Sequence, residues 1–506
     1  MAGDAAALTD ARLGKQPSAS MMDAVLAPRL RGATGELKTL GAFLYVDLAH
    51  VTMMAETGNV PIAAAKGLLK GLQELERKGA DGLSIDPRLG TLLLQIERFL
   101  STFAGPDAGG MLQLARSRVD QGAAIFRVVA RDGLLAAMAM HQDLQDSLIA
   151  RATEWIDVIM PGYTHLQHAQ PWVLGHYLLA QVEAFERDAE RLRQCYARVN
   201  RSALGTVAMA GTSWPIDRRR TAQFLGHPDI IANSKDAGFI IGMDFLPEMA
   251  AVLSILMSGL GRLAAELYLW SSFEFGMVDL DESLCGTSSI MPQKKNPHAL
   301  ERVRALSGEA LGWMPSQLGL LRSTSTTDCD VNFSSREFIG YFDHVGWGLR
   351  LMTDTMLTLR IDRERMAERA GSNWSTASDL ADCIVKLSGL DFRRAHHIVA
   401  TLVRQSEAAN MRPADVGSSE LDRAAEKAIG RKLKLDDKIV RDALDPVRFV
   451  NTRTSEGSVG PAEVAKLLER ARRHAVEARA WIDQEKARLA SARAVLDKAI
   501  EAVLEA

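Results

Sequence analysis

The feature that most constrains the fold of this chain is a set of long segments in which apolar residues recur every three or four positions. Four of these segments cover residues 116–159, 172–199, 246–275 and 299–321. This spacing is the period of an amphipathic α-helix, whereas the strict alternation typical of strands is scarce. Because long helices joined by short loops pack as bundles, the sequence predicts an all-α fold.

Clusters of Gly and Pro divide the chain into three predicted domains. We expect an N-terminal helical domain over residues 1–115, a central long-helix bundle over 116–370 and a C-terminal helical domain over 371–506. The stretch 461–506 is rich in Ala, Glu and Arg, which predicts one extended helix. A partner-binding coiled coil and a helix with one packed face both fit this composition, and we favour the second.

Composition and charge argue against several classes of partner. The 506 residues carry a net charge of −3, which gives no reason to expect nucleic acid or an anionic membrane. The most apolar stretch, Met249 to Trp270, contains Arg262 and Glu266, so we expect a buried core helix and no membrane span. The N-terminus lacks the pattern of a secretion signal and the four cysteines are scattered, which together predict a cytoplasmic protein.

The densest group of chemically useful residues is Gly286-Thr-Ser-Ser-Ile-Met-Pro-Gln-Lys-Lys-Asn-Pro297. Gly286 permits unusual backbone angles, and Pro292 and Pro297 oppose regular structure, so this segment is a predicted loop. Lysines and backbone amides suit a site where an anion forms, and serines can carry protons. The segment therefore predicts a catalytic loop. The neighbouring Cys285 is either a reactive thiol or, more ordinarily, a packing residue.

A second polar segment, residues 161–171, lies between two of the predicted helices and contains His165 and His168. No Cys or acidic residue joins these histidines at a metal-binding spacing. A single histidine is more often structural, but the density of polar residues here favours a site in which histidine acts as an acid or base.

A third cluster, Arg116-Ser-Arg-Val-Asp-Gln121, stands at a predicted helix start. Two arginines and a helix N-terminus favour a bound carboxylate, and a solvated, capped helix start is the alternative. No glycine-rich phosphate loop, Walker motif or dinucleotide fingerprint occurs, so we expect no nucleotide or nicotinamide cofactor.

These segments together match a known family. Ser288-Ser-Ile-Met-Pro-Gln-Lys-Lys-Asn296 fits the signature Ser-Ser-x-Met-Pro-x-Lys-x-Asn, and residues 162–167 read Gly-Tyr-Thr-His-Leu-Gln. With further matches at 47–50, 270–276 and 443–446, the similarity covers most of residues 35–465. The chain resembles the fumarase/aspartase superfamily, and within it the argininosuccinate lyases.

The resemblance implies a three-domain fold and a homotetramer whose central helices form one bundle, with each active site built from loops of three subunits. It implies reversible elimination of fumarate from a succinyl compound, without metal or organic cofactor. Ser288 would be the base that removes the β-proton, and Lys294 and Asn296 would stabilise the aci-carboxylate. His165 would be the general acid or organise proton transfer, with Glu301 as its carboxylate partner. The implied substrate contacts are Arg116, Ser117, Arg118, Thr164, Gln167, Ser289 and Met291.

The chain also departs from the family pattern around the predicted substrate pocket. The positions that differ, and that we include in this pocket, are Val119 for asparagine, His298 for aspartate, Asp328 for tyrosine and Arg336 for lysine. Val119 cannot hydrogen-bond a carboxylate, and a buried unpaired oxygen costs about 1–3 kcal/mol.

The proton-transfer residues are therefore kept while both ends of the pocket differ. This pattern predicts a C–N lyase acting on an N-substituted aspartate other than argininosuccinate. Two alternatives stay open: a genuine argininosuccinate lyase with a compensated pocket, and a non-catalytic structural homologue of the crystallin type.

Overall fold

The computed structural model describes residues 17–238, 241–322, 324 and 335–506. Within these ranges the only strands are two-residue strands in antiparallel pairs, so the predicted all-α class is confirmed. The strands are β1 (Ile159–Met160), β2 (Tyr163–Thr164), β3 (Gln167–His168), β4 (Trp172–Val173), β5 (Val278–Asp279), β6 (Gly286–Thr287), β7 (Lys295–Asn296) and β8 (Arg360–Ile361). They pair as β1 with β4, β2 with β3, β5 with β8 and β6 with β7.

The helices fall into three groups along the chain. The N-terminal group is α1 (Ala19–Met21), α2 (Ala27–Arg31), α3 (Leu40–Glu56), α4 (Ile62–Lys78), α5 (Leu92–Ala104) and α6 (Pro106–Gly109). The central group is α7 (Arg118–Glu154), α8 (Leu174–Val199), α9 (Arg218–Phe224), α10 (Phe245–Trp270), α11 (His298–Ala310), α12 (Trp313–Leu320), α13 (Phe338–Thr358) and α14 (Arg363–Ala370). The remainder are α15 (Ala377–Ser388), α16 (Phe392–Ala408), α17 (Ser418–Ile429), α18 (Asp437–Leu444), α19 (Pro446–Asn451) and α20 (Pro461–Glu505).

Single turns connect some of these helices. A π-helical turn spans Met22–Leu26. The 3-10 turns are Glu36–Thr39, Gly79–Gly82, Pro87–Leu89, Ile241–Met243, Glu282–Leu284, Ser335–Glu337 and Pro413–Asp415.

The central helices form an up-and-down bundle. Arg127, near the start of α7, donates hydrogen bonds to the carbonyls of Arg198 and Val199 at the end of α8, so these two helices are antiparallel. The same guanidinium lies 4.7 Å from the centroid of the Phe245 ring, which places the start of α10 at this end too. Near the other end of α7, Arg151 Nε donates to the Met356 carbonyl at 2.7 Å, so α13 runs parallel to α7.

Three of the predicted helical segments appear as α7, α8 and α10, and the fourth is wrong in one respect. The segment 299–321 divides into α11 and α12 at Leu311 and Gly312. Pro315 explains the break, because a proline inside a continuous helix removes one backbone hydrogen bond and its ring clashes with the carbonyl four residues earlier.

The apolar helix α10 lies inside the bundle. Leu253, Leu256, Leu260 and Leu263 are fully buried in the core, which confirms the predicted core helix. By length and hydropathy alone, Ile241–Trp270 also passes as a candidate membrane span, and 56% of its most apolar window is buried. A core helix meets the same criterion.

The helix α20 joins distant parts of the chain. Its start contacts the bundle through Arg470, which pairs with Glu183, and its far end reaches α4, where Arg493 binds both oxygens of Glu76 at 2.7 and 2.8 Å. One face of α20 is packed, with Leu496 and other apolar residues in the same core as α3 and α7. The residues between 380 and 444 form a separate apolar core, and the boundaries of the three domains stay a prediction.

Candidate active site

His165 lies at the tip of a hairpin that closes the connection between α7 and α8. Strands β2 and β3 pair Thr164 with Gln167, which leaves His165 and Leu166 as a two-residue turn. Both turn residues have positive φ, +54° and +57°, as in a type I′ turn. Non-glycine residues adopt this conformation at a cost of about 1–3 kcal/mol each, and such strain concentrates at functional sites. The turn presents His165, Thr164 and Gln167 to the surface of the single chain.

The predicted catalytic loop is a second hairpin. Its stem pairs Gly286 with Asn296 and Thr287 with Lys295. A Cβ built on Gly286 would overlap the His298 ring, so a larger residue here would require the exposed His298 side chain to move. Between the strands, residues 289–294 are exposed, including Ser289, Met291 and Lys294. The predicted loop is therefore present, with its side chains directed away from the core.

Ser288 begins this loop, and its hydroxyl oxygen is the focus of local hydrogen bonding. The backbone N–H of Met291 donates to Ser288 Oγ at 3.0 Å, and the N–H of Ile290 donates at 3.3 Å. Two N–H donors aimed at one oxygen stabilise negative charge on that oxygen. The arrangement therefore provides two donors that would stabilise an alkoxide at Ser288.

The two adjacent lysines differ in their surroundings. Lys295 Nζ lies 2.7 Å from Oδ1 of Asp279, so its charge is paired with a carboxylate that it shares with Arg360. Lys294 forms no ion pair within the described residues. Asp279 and its other partner, Arg360, were not identified from the sequence, because neither belongs to a motif. Only the pairing of β5 with β8 brings Arg360 to Asp279 beside the loop.

Glu301 lies on the first turn of α11, next to His298. The His298 Nε2 and Glu301 Oε2 atoms are 3.9 Å apart, a distance that allows an ion pair only when the imidazole is protonated. Among the described residues of one chain, no contact joins Glu301 to His165. The expected pairing of these two residues stays a prediction.

The cluster at 116–119 forms the start of α7. Ser117 is the N-cap: its Oγ accepts from the Val119 N–H, and Asp120 accepts from the Ser117 N–H, completing a capping box. Arg118 is exposed and Val119 half-buried. The N-terminus of a helix is rich in N–H donors and can bind an anion, which fits the expected carboxylate contact.

Arg116 does not lie on this surface. Its side chain is fully buried, and its Nη2 contacts Oδ1 of Asp47 at 2.7 Å. Burial raises the pKa of Asp47, and the nearby Arg116 charge opposes that rise. The structure thus places Arg116 as an internal support for the start of α7, and direct contact with a substrate carboxylate would require it to leave this ion pair.

Arg336 is also turned inward, while Asp328 lies outside the described residues. Arg336 Nη2 is 3.0 Å from Oε1 of Glu36, which also binds Arg29. Glu36 was not identified from the sequence, because it lies 300 residues from Arg336 and in no recognisable motif. Arg336 therefore joins the start of α13 to the N-terminal helices.

The candidate residues occupy opposite ends of the molecule. Ser117 caps the start of α7, whereas the His165 hairpin lies at the other end of that helix. There the Tyr163 ring is 5.7 Å from the ring of Phe275, which follows the end of α10. The catalytic loop lies at the same end of the bundle as the His165 hairpin. The last residue of α11, Ala310, accepts a hydrogen bond from Ser254 near the start of α10, so the two helices are antiparallel and the loop before α11 lies near the end of α10. A helix of 37 residues spans about 55 Å, so one chain cannot bring Ser117 and His165 to one small substrate.

No group of three or more His, Cys, Asp or Glu side chains lies together as a metal site in the part of the chain that the structure describes.

Comparison with known proteins identifies the family. Residues 24–312 match a lyase family model, and residues 374–451 match the argininosuccinate lyase C-terminal model. Argininosuccinate lyase 1 of Shouchella clausii is 35% identical over 90% of this chain and 92% of its own length. Argininosuccinate lyase of Methanothermobacter thermautotrophicus is 37% identical over 84% of this chain and 90% of its own length.

Solved structures give the same result. EDDS lyase in complex with formate superposes with a TM-score of 0.83 and 32% identity, covering 95% of this chain and 98% of that one. A 3-carboxy-cis,cis-muconate lactonizing enzyme from Pseudomonas putida, at 20% identity and a TM-score of 0.68 over 90% of this chain and 99% of its own, shares the fold. The chain therefore belongs to the argininosuccinate lyase-like group of the fumarase/aspartase superfamily and is a carbon–nitrogen lyase.

Proposed function

We propose that this enzyme reversibly eliminates fumarate from an N-substituted aspartate whose amine is not arginine. In the elimination direction, Ser288 removes the β-proton beside a carboxylate, and the electron pair is held as the aci-carboxylate. Those electrons then form the double bond as the C–N bond breaks, and the amine leaves with a proton. The reverse sequence adds an amine to fumarate.

The observation that carries this proposal is the pair of N–H groups at Ser288 Oγ, at 3.0 and 3.3 Å. A serine hydroxyl is a poor base unless its alkoxide is stabilised. Hydrogen bonds to the charged form of a group favour that form, and preorganised N–H donors do so without rearrangement. Lys294, which lacks an ion pair among the described residues, supplies a positive charge to the same loop.

The other roles follow from position. Lys294, in the exposed part of the loop, and Asn296, at the base of its stem, would hold the aci-carboxylate. His165, at the exposed tip of its hairpin, would deliver the proton to the leaving nitrogen, with Glu301 from another subunit orienting it. Ser117 and Arg118, at the start of α7, would bind a substrate carboxylate from yet another copy. We therefore propose a homotetramer with shared sites, located in the cytoplasm.

The choice of amine rests on the residues that depart from the family. Relatives named argininosuccinate lyase and a neighbour named EDDS lyase have similar identities to this chain, from 32% to 37%, so overall similarity does not select the substrate. Val119 and His298 replace the family's polar and acidic residues, which argues for a different pocket. Fumarate, bound in a solved variant of EDDS lyase, is the acid that we propose for this enzyme.

A panel of primary amines and diamines, each incubated with fumarate and purified enzyme, tests the proposal. We expect a new product whose mass is the sum of one amine and fumarate, and no product with the Ser288→Ala variant. Argininosuccinate is assayed in parallel by the absorbance of released fumarate. Efficient turnover of argininosuccinate would replace our proposal with the genuine argininosuccinate lyase.

A further inference from the structure

The stem of the catalytic loop is tied to the body of the enzyme by a small ionic network. Lys295 Nζ binds Oδ1 of Asp279 at 2.7 Å, and Arg360 Nη2 binds the other oxygen, Oδ2, at 2.6 Å. Successive residues of a strand point to opposite faces, so on β7 Lys295 faces this network while Asn296 faces the other side. Lys295 therefore belongs to the network, whereas the proposed chemistry uses its neighbour Lys294.

Asp279 lies on a strand that is attached to the core of the protein. It lies directly opposite Arg360 in the β5–β8 pair, and its neighbours Met277 and Val278 are buried in the core. Met277 completes the attachment, because its N–H donates to the Trp270 carbonyl at the end of α10 at 3.0 Å. Partial burial raises the pKa of Asp279, but hydrogen bonds from Lys295 and Arg360 lower it by more than burial raises it. The carboxylate is therefore charged at neutral pH.

The rest of the loop has only local support. Ser288 Oγ accepts from its own loop's amides, and the Lys294 N–H donates to the Met291 carbonyl at 3.0 Å. Across the residues that the structure describes, Lys295 is the only member of 286–297 whose side chain forms an ion pair outside the loop. Besides the pairing with β6 and the start of α11, this side chain therefore ties β7 to the body of the enzyme, directly between Lys294 and Asn296.

We propose that Lys295 is a positioning residue, which through Asp279 and Arg360 holds the stem of the catalytic loop and so aligns Ser288 and Lys294 with the substrate. This inference rests on the proposed function, because its kinetic effect requires the loop to perform the reaction. Exposed ion pairs usually contribute little to stability, so the effect should appear in catalysis and loop motion more than in unfolding.

Kinetics of Lys295→Met and Asp279→Asn provide the first test. A loop displaced by about 1 Å can lose about a hundredfold in rate, so we expect kcat to fall about tenfold to a hundredfold with little change in KM. Lys295→Arg should restore most of the rate, and the double variant should be no slower than either single variant. Arg219→Met, which breaks an exposed pair with Asp229 away from the site, should behave as wild type. Wild-type kcat in Lys295→Met would overturn the proposal.

Hydrogen exchange provides a test that needs no activity. Peptides covering 286–297 should exchange faster in Lys295→Met and Asp279→Asn than in wild type, while peptides from α7 and α8 should not change. Raising salt from about 0.1 M to about 1 M shortens the screening length from about 10 Å to about 3 Å, and should speed loop exchange in wild type but not in Lys295→Met. Unchanged loop exchange in both variants would also overturn the proposal. A wild-type enzyme that makes no adduct would instead contradict the proposed function, and the exchange data would still decide the role of Lys295.

Discussion

At the scale of single residues, the environment of each polar group in the loop determines what it can contribute. Ser288 accepts two backbone N–H bonds, Lys295 is paired with Asp279, and Lys294 is left with its charge exposed. Neighbouring residues of the same type therefore take different roles.

Removal of the Ser288 hydroxyl should abolish the proton transfer and leave the fold intact. General-base catalysis contributes about a hundredfold to ten-thousandfold, so we expect kcat of Ser288→Ala to fall by at least about a hundredfold. Initial rates of adduct formation measure the effect. Ser283→Ala, which removes an exposed hydroxyl bonded to Asp281 outside the loop, is the matched control and should keep full activity.

Restoring the family's asparagine at Val119 should improve binding of the acid. A hydrogen bond to a carboxylate contributes about 1 kcal/mol or more, so Val119→Asn should lower KM for fumarate about fivefold or more. Val119→Ala offers no new hydrogen bond and should not lower it. Steady-state kinetics at saturating amine would measure both variants, and equal KM values would show that Val119 does not face the acid.

The positions of residues were predicted where a short segment determines them and missed where distant partners do, and the roles of the site residues stay predictions. The loop, the helix cap at Ser117 and the exposed His165 could be inferred from short segments. The buried state of Arg116 could not, because its partner Asp47 lies 69 residues earlier. The family signature distinguished Lys294 from Lys295, but the ion pair of Lys295 with Asp279 could not be predicted, since only the fold brings Asp279 beside the loop.

At the scale of elements, the His165 hairpin stores strain in a turn that normally takes Asn and Gly. Leu166 is 66% exposed, so replacing it loses little burial, while Asn tolerates positive φ better. We expect Leu166→Asn to raise the free energy of unfolding by about 1 kcal/mol and Leu166→Ile to lower it, because a β-branched residue resists this conformation. Denaturant midpoints of the two variants, compared with wild type, measure the difference, and shifts in the same direction would contradict the strain argument.

Helical elements were predicted more reliably than their interruptions. The three-and-four spacing located α7, α8 and α10 because each buries one continuous apolar stripe. The break between α11 and α12 was missed, since the apolar pattern continues across Leu311 and Gly312 and only Pro315 marks the change.

At the scale of the whole molecule, the length of α7 separates Ser117 from His165 by about 55 Å. If active sites combine these residues from different copies, two inactive variants should complement each other. Co-expression of His165→Asn with Arg118→Gln, each inactive alone, should give hybrid tetramers in which about a quarter of the sites contain both wild-type residues. The specific activity of purified hybrids measures this. No recovery above either parent would mean that each site is built from one chain.

The helix α20 has a consequence for how the protein is made. Arg493 and Leu496 contact α4 and the core near α3, more than 400 residues away along the chain. During synthesis the first helices therefore emerge from the ribosome long before the surface that covers them, and contacts of such sequence separation form slowly. The apolar residues of the N-terminal region that pack against α20 therefore stay uncovered until α20 is translated.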